Sequence, residues 1–479
     1  MINRFFRNTS FNFLMDVSNR FSNAIIVILI SKSLPIDQFG AYNIATSYLT
    51  IGSLLCFWGL GNLLIREVAK NPENFGKYFF NFGILRIIFG IGSIIVLLIV
   101  ALFFNYSPLT FYVISIVCLG ILAEAIKNIC YSAFNAFEKT QYVSVIYLIS
   151  GILKIIGSYI LLLNNFSIVE LAWLNTTVNS LGALILLLMV KRFLPKIEVH
   201  LDWKFNLAQI KLAFPLFLMA IFSLAENRID VIIMSGFYSE SLVGYYTAAV
   251  FLESALLIFP EGIRNGIFPV FSRYAHEDPE KAKRIYYLVF KNISFITLAI
   301  AIGGIFLAPQ LLSIIYKEDF VESVPVFRLL MFSYPFFSLV ILNVRLLNAN
   351  NRDKKIAQIF AINMLLSLVF HLLIIPKYAG IGAAYVRLGS TILLSIFCFI
   401  EVFKLHPSLN IKPVILQSLI ASTVMSTVLF LIRDWNLFIN IIIGAIVYLI
   451  TLFITHAITR EEINLLKTLF SKKVKNNEI

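Results

Sequence analysis

Apolar runs of about twenty residues recur along this chain with only short polar breaks between them, and that recurrence leaves few folds open. A helix needs about 20 mostly apolar residues to cross a bilayer. Fourteen such segments are legible, at 10–32, 40–63, 79–104, 108–134, 141–163, 168–190, 208–235, 242–270, 287–308, 324–349, 356–375, 380–403, 413–432 and 436–458. Turn chemistry marks the breaks, as at Leu34-Pro35, Asn105-Tyr106-Ser107-Pro108, Asn164-Asn165 and Pro376-Lys377-Tyr378-Ala379-Gly380. The alternating units of about ten residues that signal an outer-membrane barrel are absent. Composition agrees, with 59% hydrophobic and 14% charged residues, against roughly 45–50% and about 25% in a soluble domain. A water-soluble chain of 479 residues could not bury so much apolar surface. The expected fold is all-α and polytopic. That excludes a secreted disulfide scaffold, a nucleic-acid-binding module and a soluble enzyme with a small anchor.

Arg4 and Arg7 precede the first run, but Asp16, Asn19, Arg20 and Asn23 interrupt it and no small-residue cleavage pattern follows. The run reads as a permanent span and not a removed signal. Counting loop Lys and Arg from a cytoplasmic N-terminus puts 24 inside and only Lys32, Lys317, Lys377 and Arg433 outside. Both termini are therefore expected in the cytoplasm, with the protein in the plasma membrane. The basic tail, Arg460 to Lys475, reads as a retention and surface-lipid feature, so the formal net charge of +13 points to no nucleic-acid partner. Cys56, Cys118, Cys130 and Cys398 lie inside apolar runs without CxxC spacing, and the five histidines form no HxxxH or HExxH pattern. No metal site is expected.

A faint internal repeat runs through the chain. Phe39-Gly40-Ala41-Tyr42 and Ala45 open the second segment as Val243-Gly244-Tyr245-Tyr246 and Ala249 open the eighth, an offset close to 204 residues. Phe134-Asn135-Ala136 is answered by Leu347-Asn348-Ala349, and Leu171-Ala172-Trp173 by Ala383-Ala384-Tyr385, always six segments apart. Six is even, so the repeats share one orientation, which predicts two six-helix lobes related by a pseudo-two-fold along the membrane normal with a cavity between them. The expected division is 1–195 for helices 1–6, 196–412 for helices 7–12, and 413–479 for two extra C-terminal helices and the tail. Parallel repeats around a cavity are a transporter architecture.

Eleven basic residues fall within the segments. Arg86, Lys211, Lys291 and Arg328 lie near segment ends, where long side chains can snorkel to the interface. Arg20, Lys127, Lys154, Arg228, Arg264, Arg345 and Arg387 are deeper, accompanied by Asp16, Glu124, Glu226, Asp230, Glu253 and Glu261. Each such charge costs about 2.5–3.5 kcal/mol or more at mid-membrane unless it meets a partner or a wet cavity. Asp16–Arg20, Glu124–Lys127 and Glu261–Arg264 are spaced for ion pairs on one helix face. Glu226 and Asp230 share a face if their helix is continuous, with Arg228 on the opposite side. Lys154, Arg228, Arg345 and Arg387 have no partner nearby in the sequence, and cations facing a cavity suit an anionic substrate. Asp16, Glu124, Glu226, Asp230 and Glu253 are candidates for taking up H⁺ or Na⁺ in a transport cycle; ion pairing with neighbouring helices is the other reading.

The 6+6+2 arrangement, with Phe39-Gly40-Ala41-Tyr42-Asn43-Ile44-Ala45 and with Asp230-Val231-Ile232-Ile233-Met234 followed by Val243-Gly244-Tyr245-Tyr246, resembles the polysaccharide flippase branch of the multidrug/oligosaccharidyl-lipid/polysaccharide exporter superfamily. The "FG-x-Y" stretch is similar to that of bacterial O-antigen repeat-unit transporters. The resemblance implies a lipid-linked anionic oligosaccharide as substrate, an undecaprenyl-pyrophosphate repeat unit for O-antigen or another surface polysaccharide, carried from the inner to the outer leaflet. It implies no catalytic residue and no cofactor beyond H⁺ or Na⁺ coupling, with membrane lipids and polysaccharide polymerase and chain-length proteins as partners. It also implies a cavity lined by basic residues of both lobes: Arg20, Lys154 and Arg228, then Arg264, Arg345 and Arg387. Two extra C-terminal helices resemble the longer lipid-II-type relatives.

Two readings within the superfamily stay open beside this one: a multidrug or organic-cation antiporter, and a lipid II flippase. A membrane-bound polysaccharide polymerase would need a large outer loop, and the longest outer connection, around Pro309–Ser323, is short. If the deep cations serve an anionic substrate, Arg20→Ala and Arg228→Ala each reduce export while the protein remains in the membrane. Surface polysaccharide per inserted copy measures this; wild-type export by either variant removes that residue from the cavity set.

Overall fold

The computed structural model describes residues 2–457; the side chains of residues 2–10, 13, 215–216, 218–227, 258, 263–266, 269 and 276 lie outside that description. The basic tail, together with the side chains of Arg4, Arg7, Glu226 and Arg264, falls outside the described residues. Among those described there are α-helices and short 3-10 turns but no strands. The helices are α1 (Ile2–Ser33), α2 (Ile36–Phe57), α3 (Leu60–Lys70), α4 (Phe75–Leu102), α5 (Pro108–Ala136), α6 (Gln141–Leu163), α7 (Ile168–Phe193) and α8 (Trp203–Asn227). They continue as α9 (Ile229–Ser235), α10 (Glu240–Leu256), α11 (Ile258–Glu277), α12 (Pro279–Ile315), α13 (Val324–Ala349), α14 (Asp353–Leu405), α15 (Lys412–Leu431) and α16 (Leu437–Ile454).

Local sequence explains where several of them begin. Ser107 caps α5 by accepting from the Thr110 amide, with Pro108 in the first turn, where its missing N–H costs nothing. Ser167 and Glu170 form a capping box on α7, Asp278 caps α12 ahead of Pro279, and Asn436 caps α16.

Among the described residues eleven helices are long and apolar enough to span a bilayer, or twelve if the bent pair α2–α3 is one span, so the chain is a multi-pass membrane protein. The expected fourteen is not reached by this measure, which takes α14 as one span. The expected spans 356–375 and 380–403 are two helices joined in the 53-residue α14 across a kink at Ala379, with φ 51° and ψ −137°. An unbroken helix of that length would run about 80 Å, far beyond the roughly 30 Å of hydrocarbon. The expected span 208–235 is instead two helices, α8 and α9, interrupted at Arg228 with φ −149°. A similar break splits the expected span 40–63: Trp58 and Gly59 both adopt left-handed φ, and α2 and α3 meet at a 42° bend. A left-handed non-glycine residue costs roughly 1–2 kcal/mol. Trp58 offsets that cost by stacking between Phe89 and Phe217, with ring centroids 4.6 and 4.0 Å away.

The chain forms two compact units, Met1–Ala248 with Met364–Ala383, and Ala249–Asn363 with Ala384–Ile479. In the first, α5 is the hub, packed on α2, α4 and α7, while α1 lies on α6. Its core gathers Leu60, Phe75, Phe82, Cys130, Phe134 and Leu186. Ile88, Ile91, Ile95, Ile99 and Leu102 of α4 stand exposed at helical spacing, an outward apolar face that suits lipid. In the second unit α12 packs on α13 and α15, and α15 on α16, around Phe271, Tyr286, Phe290, Leu346 and Val414.

The repeated glycine motifs meet inside the first unit. A methyl group added at Gly40 of α2 would overlap the Glu240 carbonyl oxygen at the start of α10 and lie 3.0 Å from the Gly244 nitrogen. One added at Gly244 would lie 2.8 Å from the Ile36 carbonyl oxygen. The two helices thus cross backbone against backbone, which only small residues permit. Gly→Ala in a helix ordinarily gains about 1 kcal/mol. Here Gly40→Ala is expected to lower the melting temperature, whereas Gly92→Ala, with open space around its Cβ position, holds or raises it. Thermal unfolding of the purified variants decides; an unchanged or higher Tm for Gly40→Ala refutes the crossing.

Candidate functional site

Polar groups inside the first unit begin on α1. Asp16, Asn19, Arg20 and Asn23 follow an i, i+3, i+4, i+7 pattern and are all exposed, so they share one open face. Leu14, Val17 and Phe21 are exposed on a different face of the same helix. Four hydrophilic side chains on a membrane helix are compatible with a wet surface and not with lipid. The Asp16 carboxylate lies within electrostatic reach of Tyr131 and Tyr147, which leads from α1 toward α5 and α6.

There the expected Glu124–Lys127 ion pair forms at 2.9 Å, with Lys127 buried. Lys127 Nζ also donates to Asn179 Oδ1 of α7 at 3.1 Å and sits 4.4 Å from the centre of the Tyr147 ring. Lys154 of α6 donates to the same Asn179 oxygen at 2.9 Å. Two ammonium groups therefore converge on one amide oxygen with a single carboxylate beside them. The cluster carries one net positive charge, and Lys154 has further N–H donors to offer. Among the described residues Lys154 forms no ion pair, as its sequence context suggests, but the Glu124 carboxylate lies near enough to act on its charge and the Asn179 amide anchors it. Sequence reasoning missed Asn179. The signal, a polar residue inside an apolar run, was present and unremarkable among many.

At the α9–α10 end of the same unit the polar groups are committed to structure. Asp230 is buried and accepts from the Tyr246 hydroxyl and the Val231 amide. Tyr106 bridges Tyr48 at 3.2 Å and Ser235 at 2.6 Å. Glu240 accepts from the Ser107 amide and the Thr110 hydroxyl, and Tyr238 donates to the Pro376 carbonyl oxygen. Gly380, just after the Ala379 kink, packs on Tyr246 and Met234. These bonds tie the α4–α5, α9–α10 and mid-α14 turns around the Gly40–Gly244 crossing. Arg228, at the α8–α9 break, is only partly buried. Because that helix is not continuous, the shared face expected for Glu226 and Asp230 does not follow.

Arg86 departs from the snorkelling expectation. It is fully buried in α4, donates to the Ala125 carbonyl oxygen at 3.4 Å and lies over the Phe57 ring, while its Nε and Nη2 have no hydrogen-bond partner among the described residues. Lys291 is also buried, whereas Lys211 is exposed. Arg328 donates to the Ile305 carbonyl oxygen.

The second unit holds Arg387 and Glu253 as an ion pair at 2.8 Å, with side-chain exposures of 17% and 2%. The two are 134 positions apart, so a partner search along the sequence could not find it. Arg345 lies 5.5 Å from the Phe268 ring centre. Glu401, near the end of α14, holds Arg352, at its start, at 3.1 Å and Lys404 at 2.6 Å, so the Ala379 kink brings the two ends of α14 together. Arg264 and Glu226 cannot be placed in either constellation, their side chains being outside the described residues. Among the described residues no group of three or more His, Cys, Asp or Glu converges as a metal would need.

Comparison with known proteins places this geometry. A family model described as polysaccharide biosynthesis protein matches residues 29–325, and one described as lipid II flippase MurJ matches residues 198–453. The capsular polysaccharide biosynthesis protein CapF of Staphylococcus aureus is 23% identical over 387 residues, covering 79% of this chain and 94% of its own. The fold is similar to that of the lipid II flippase MurJ in an inward closed conformation, with a TM-score of 0.76, 18% identity, and 92% of this chain and 98% of that one covered. It is also similar to an inward-facing multidrug resistance MATE family transporter, with a TM-score of 0.66, 15% identity, and coverage of 81% and 96%.

The Glu253–Arg387 pair makes a stability prediction. Breaking a buried ion pair from one side costs about 3–5 kcal/mol, while removing both charges is far cheaper. Glu253→Gln and Arg387→Gln are each expected to lower Tm, and the double variant to recover most of the loss. Additive losses in the double variant would show that the two side chains do not act as a pair.

Proposed function

The chain belongs to the polysaccharide biosynthesis protein family, and from that premise we propose that it moves an undecaprenyl-pyrophosphate-linked oligosaccharide from the cytoplasmic to the outer leaflet of the plasma membrane. What carries the reading is that two models, one for polysaccharide biosynthesis and one for a lipid II flippase, together run along one chain from residue 29 to residue 453. The physics of the task fits. A sugar headgroup with a pyrophosphate cannot enter hydrocarbon unaided, since its hydroxyls and charges would lose water without replacement. A path lined by fixed polar groups substitutes for that water. The exposed stripe of Asp16, Asn19, Arg20 and Asn23 and the net-cationic cluster of Lys127, Lys154, Glu124 and Asn179 supply such groups in the first unit.

In this reading Arg20, Lys154 and Arg228 meet the pyrophosphate, with Arg264, Arg345 and Arg387 as further cations on its path. The Arg387 charge is already matched by Glu253, which makes that pair a candidate for ion exchange more than for direct substrate contact. Both termini face the cytoplasm, the lobes are 1–195 and 196–412, and residues 413–479 form the C-terminal appendix. Moving negative charge outward is favoured by an inside-negative potential by roughly 2.3 kcal/mol per charge per 100 mV, so H⁺ or Na⁺ coupling through Asp16, Glu124, Glu226, Asp230 or Glu253 is compatible with transport but not required by its energetics. Polysaccharide polymerase and chain-length proteins are the partners that would use the product. The match to the MurJ model over residues 198–453 favours lipid II as the second substrate to examine.

Deleting the gene and following two pools tests the proposal. The expected result is loss of a surface polysaccharide with its lipid-linked repeat unit accumulating on the cytoplasmic face. Arrest of peptidoglycan synthesis with lipid II accumulating would assign the second substrate instead. Unchanged pools together with lost efflux of cationic dyes would overturn both in favour of drug export.

A further inference from the structure

A pocket of about 380 Å³ opens in the second unit, lined by Lys283, Arg284 and Tyr287 near the start of α12 and by Ser408 and Asn410 in the connection from α14 to α15. Its size falls within the roughly 300–1,000 Å³ of small-ligand sites. No role described above uses it.

Its place along α12 is informative. The first nine residues of that helix, Pro279 to Tyr287, are largely polar, and from Leu288 onward the sequence turns apolar. The helix has 37 residues, more than the hydrocarbon core requires, so the polar turns stand at the membrane surface. Lys283, Arg284 and Tyr287 sit at that boundary, where basic and aromatic side chains meet headgroups. Leu288 beside them is exposed, and Ile415, Leu416 and Leu419 are exposed on α15, the helix that begins just after Ser408 and Asn410 and packs on α12. The pocket wall is almost wholly apolar, so the cations and donors of Lys283, Arg284 and Asn410 belong to its rim, with apolar open surface on the two helices leading away from it.

The donors are partly uncommitted. Lys283 Nζ donates to Glu280 at 3.0 Å and to the Ser408 hydroxyl at 2.7 Å, which fixes the ammonium in place. Arg284 is exposed, and its five N–H groups are available at the rim. Asn410 spends its side-chain oxygen on the Lys412 amide, which leaves its NH₂ donors. His406 lies near enough to feel the Lys283 charge, and its Nε2 is buried with no hydrogen-bond partner among the described residues. Burial and then the Lys283 charge hold the imidazole below its ordinary range.

We propose that the basic rim of this pocket binds the phosphate of an anionic phospholipid, with the acyl chains lying along the apolar wall and the exposed apolar surface of α12 and α15. Basic pockets between membrane helices recognise anionic headgroups in this way. A zwitterionic headgroup would bring a second cation against Lys283 and Arg284. A free phosphate would satisfy the donors but leave the apolar surface uncovered. The site needs the α14–α15 connection, so it gives the appended C-terminal helices a role of their own, independent of the flippase reading.

Native mass spectrometry of the detergent-purified full-length protein tests this with dioleoyl phosphatidylglycerol, dioleoyl phosphatidylcholine and inorganic phosphate as separate probes. The wild type is expected to retain phosphatidylglycerol several-fold over phosphatidylcholine. Retention should fall at least about fivefold, the equivalent of roughly 1 kcal/mol, in Lys283→Gln/Arg284→Gln. A smaller fall is expected in Arg284→Gln, which keeps the Lys283 contacts, and none in Lys70→Gln, an exposed basic residue outside the pocket. Equal retention of the two lipids, or unchanged retention in the double variant, overturns the proposal. Inorganic phosphate binding that depends on Lys283 and Arg284, without selective lipid retention, also overturns it and assigns a soluble phosphate ligand.

Discussion

Charge inside hydrocarbon is the constraint from which the rest of this molecule follows. Every ionised side chain placed within a span must be paired, solvated or anchored by hydrogen bonds, and the chain uses each solution at a different place. Glu253 and Arg387 pair directly. Arg20 and Asp16 stay on an open polar face. Lys127 and Lys154 share an amide oxygen, with Glu124 and the Tyr147 ring making up the difference. The first solution neutralises charge, whereas the Lys127–Lys154–Glu124 cluster keeps a net positive charge.

Most of the fold was legible because hydropathy is a local property. Helix starts at Ser107-Pro108, Ser167 and Asp278 coincide with capping chemistry that any reader of the sequence can see. The breaks were harder. Trp58 and Gly59 lie inside an apolar run, and only the stacking of Trp58 on Phe89 and Phe217 makes a bend there worthwhile. Arg228 interrupts a helix with no proline or glycine to announce it. Such features depend on residues tens or hundreds of positions away, which periodicity does not report.

The candidate site divides along the same line. Glu124 and Lys127 are three residues apart, and their pairing could be inferred from helical spacing alone. The pairing of Arg387 with Glu253 could not, nor could the meeting of two lysines on Asn179, because each needs three-dimensional proximity between separate helices. Arg86 shows the opposite failure. Its position near a segment end suggested a surface cation, yet the α2–α3 bend brings Phe57 over its guanidinium and leaves it enclosed.

The Gly40–Gly244 crossing has a consequence for how this protein can work. Side chains that interdigitate must give up rotamers when they meet, so each such contact costs entropy every time it forms. Glycine has no rotamers to lose. A joint made of bare backbone, closed around its edge by a few hydroxyl and carboxylate bonds such as Thr110 to Glu240, can be separated without repacking a core. Its register is set by backbone alone, with no rotamer to choose.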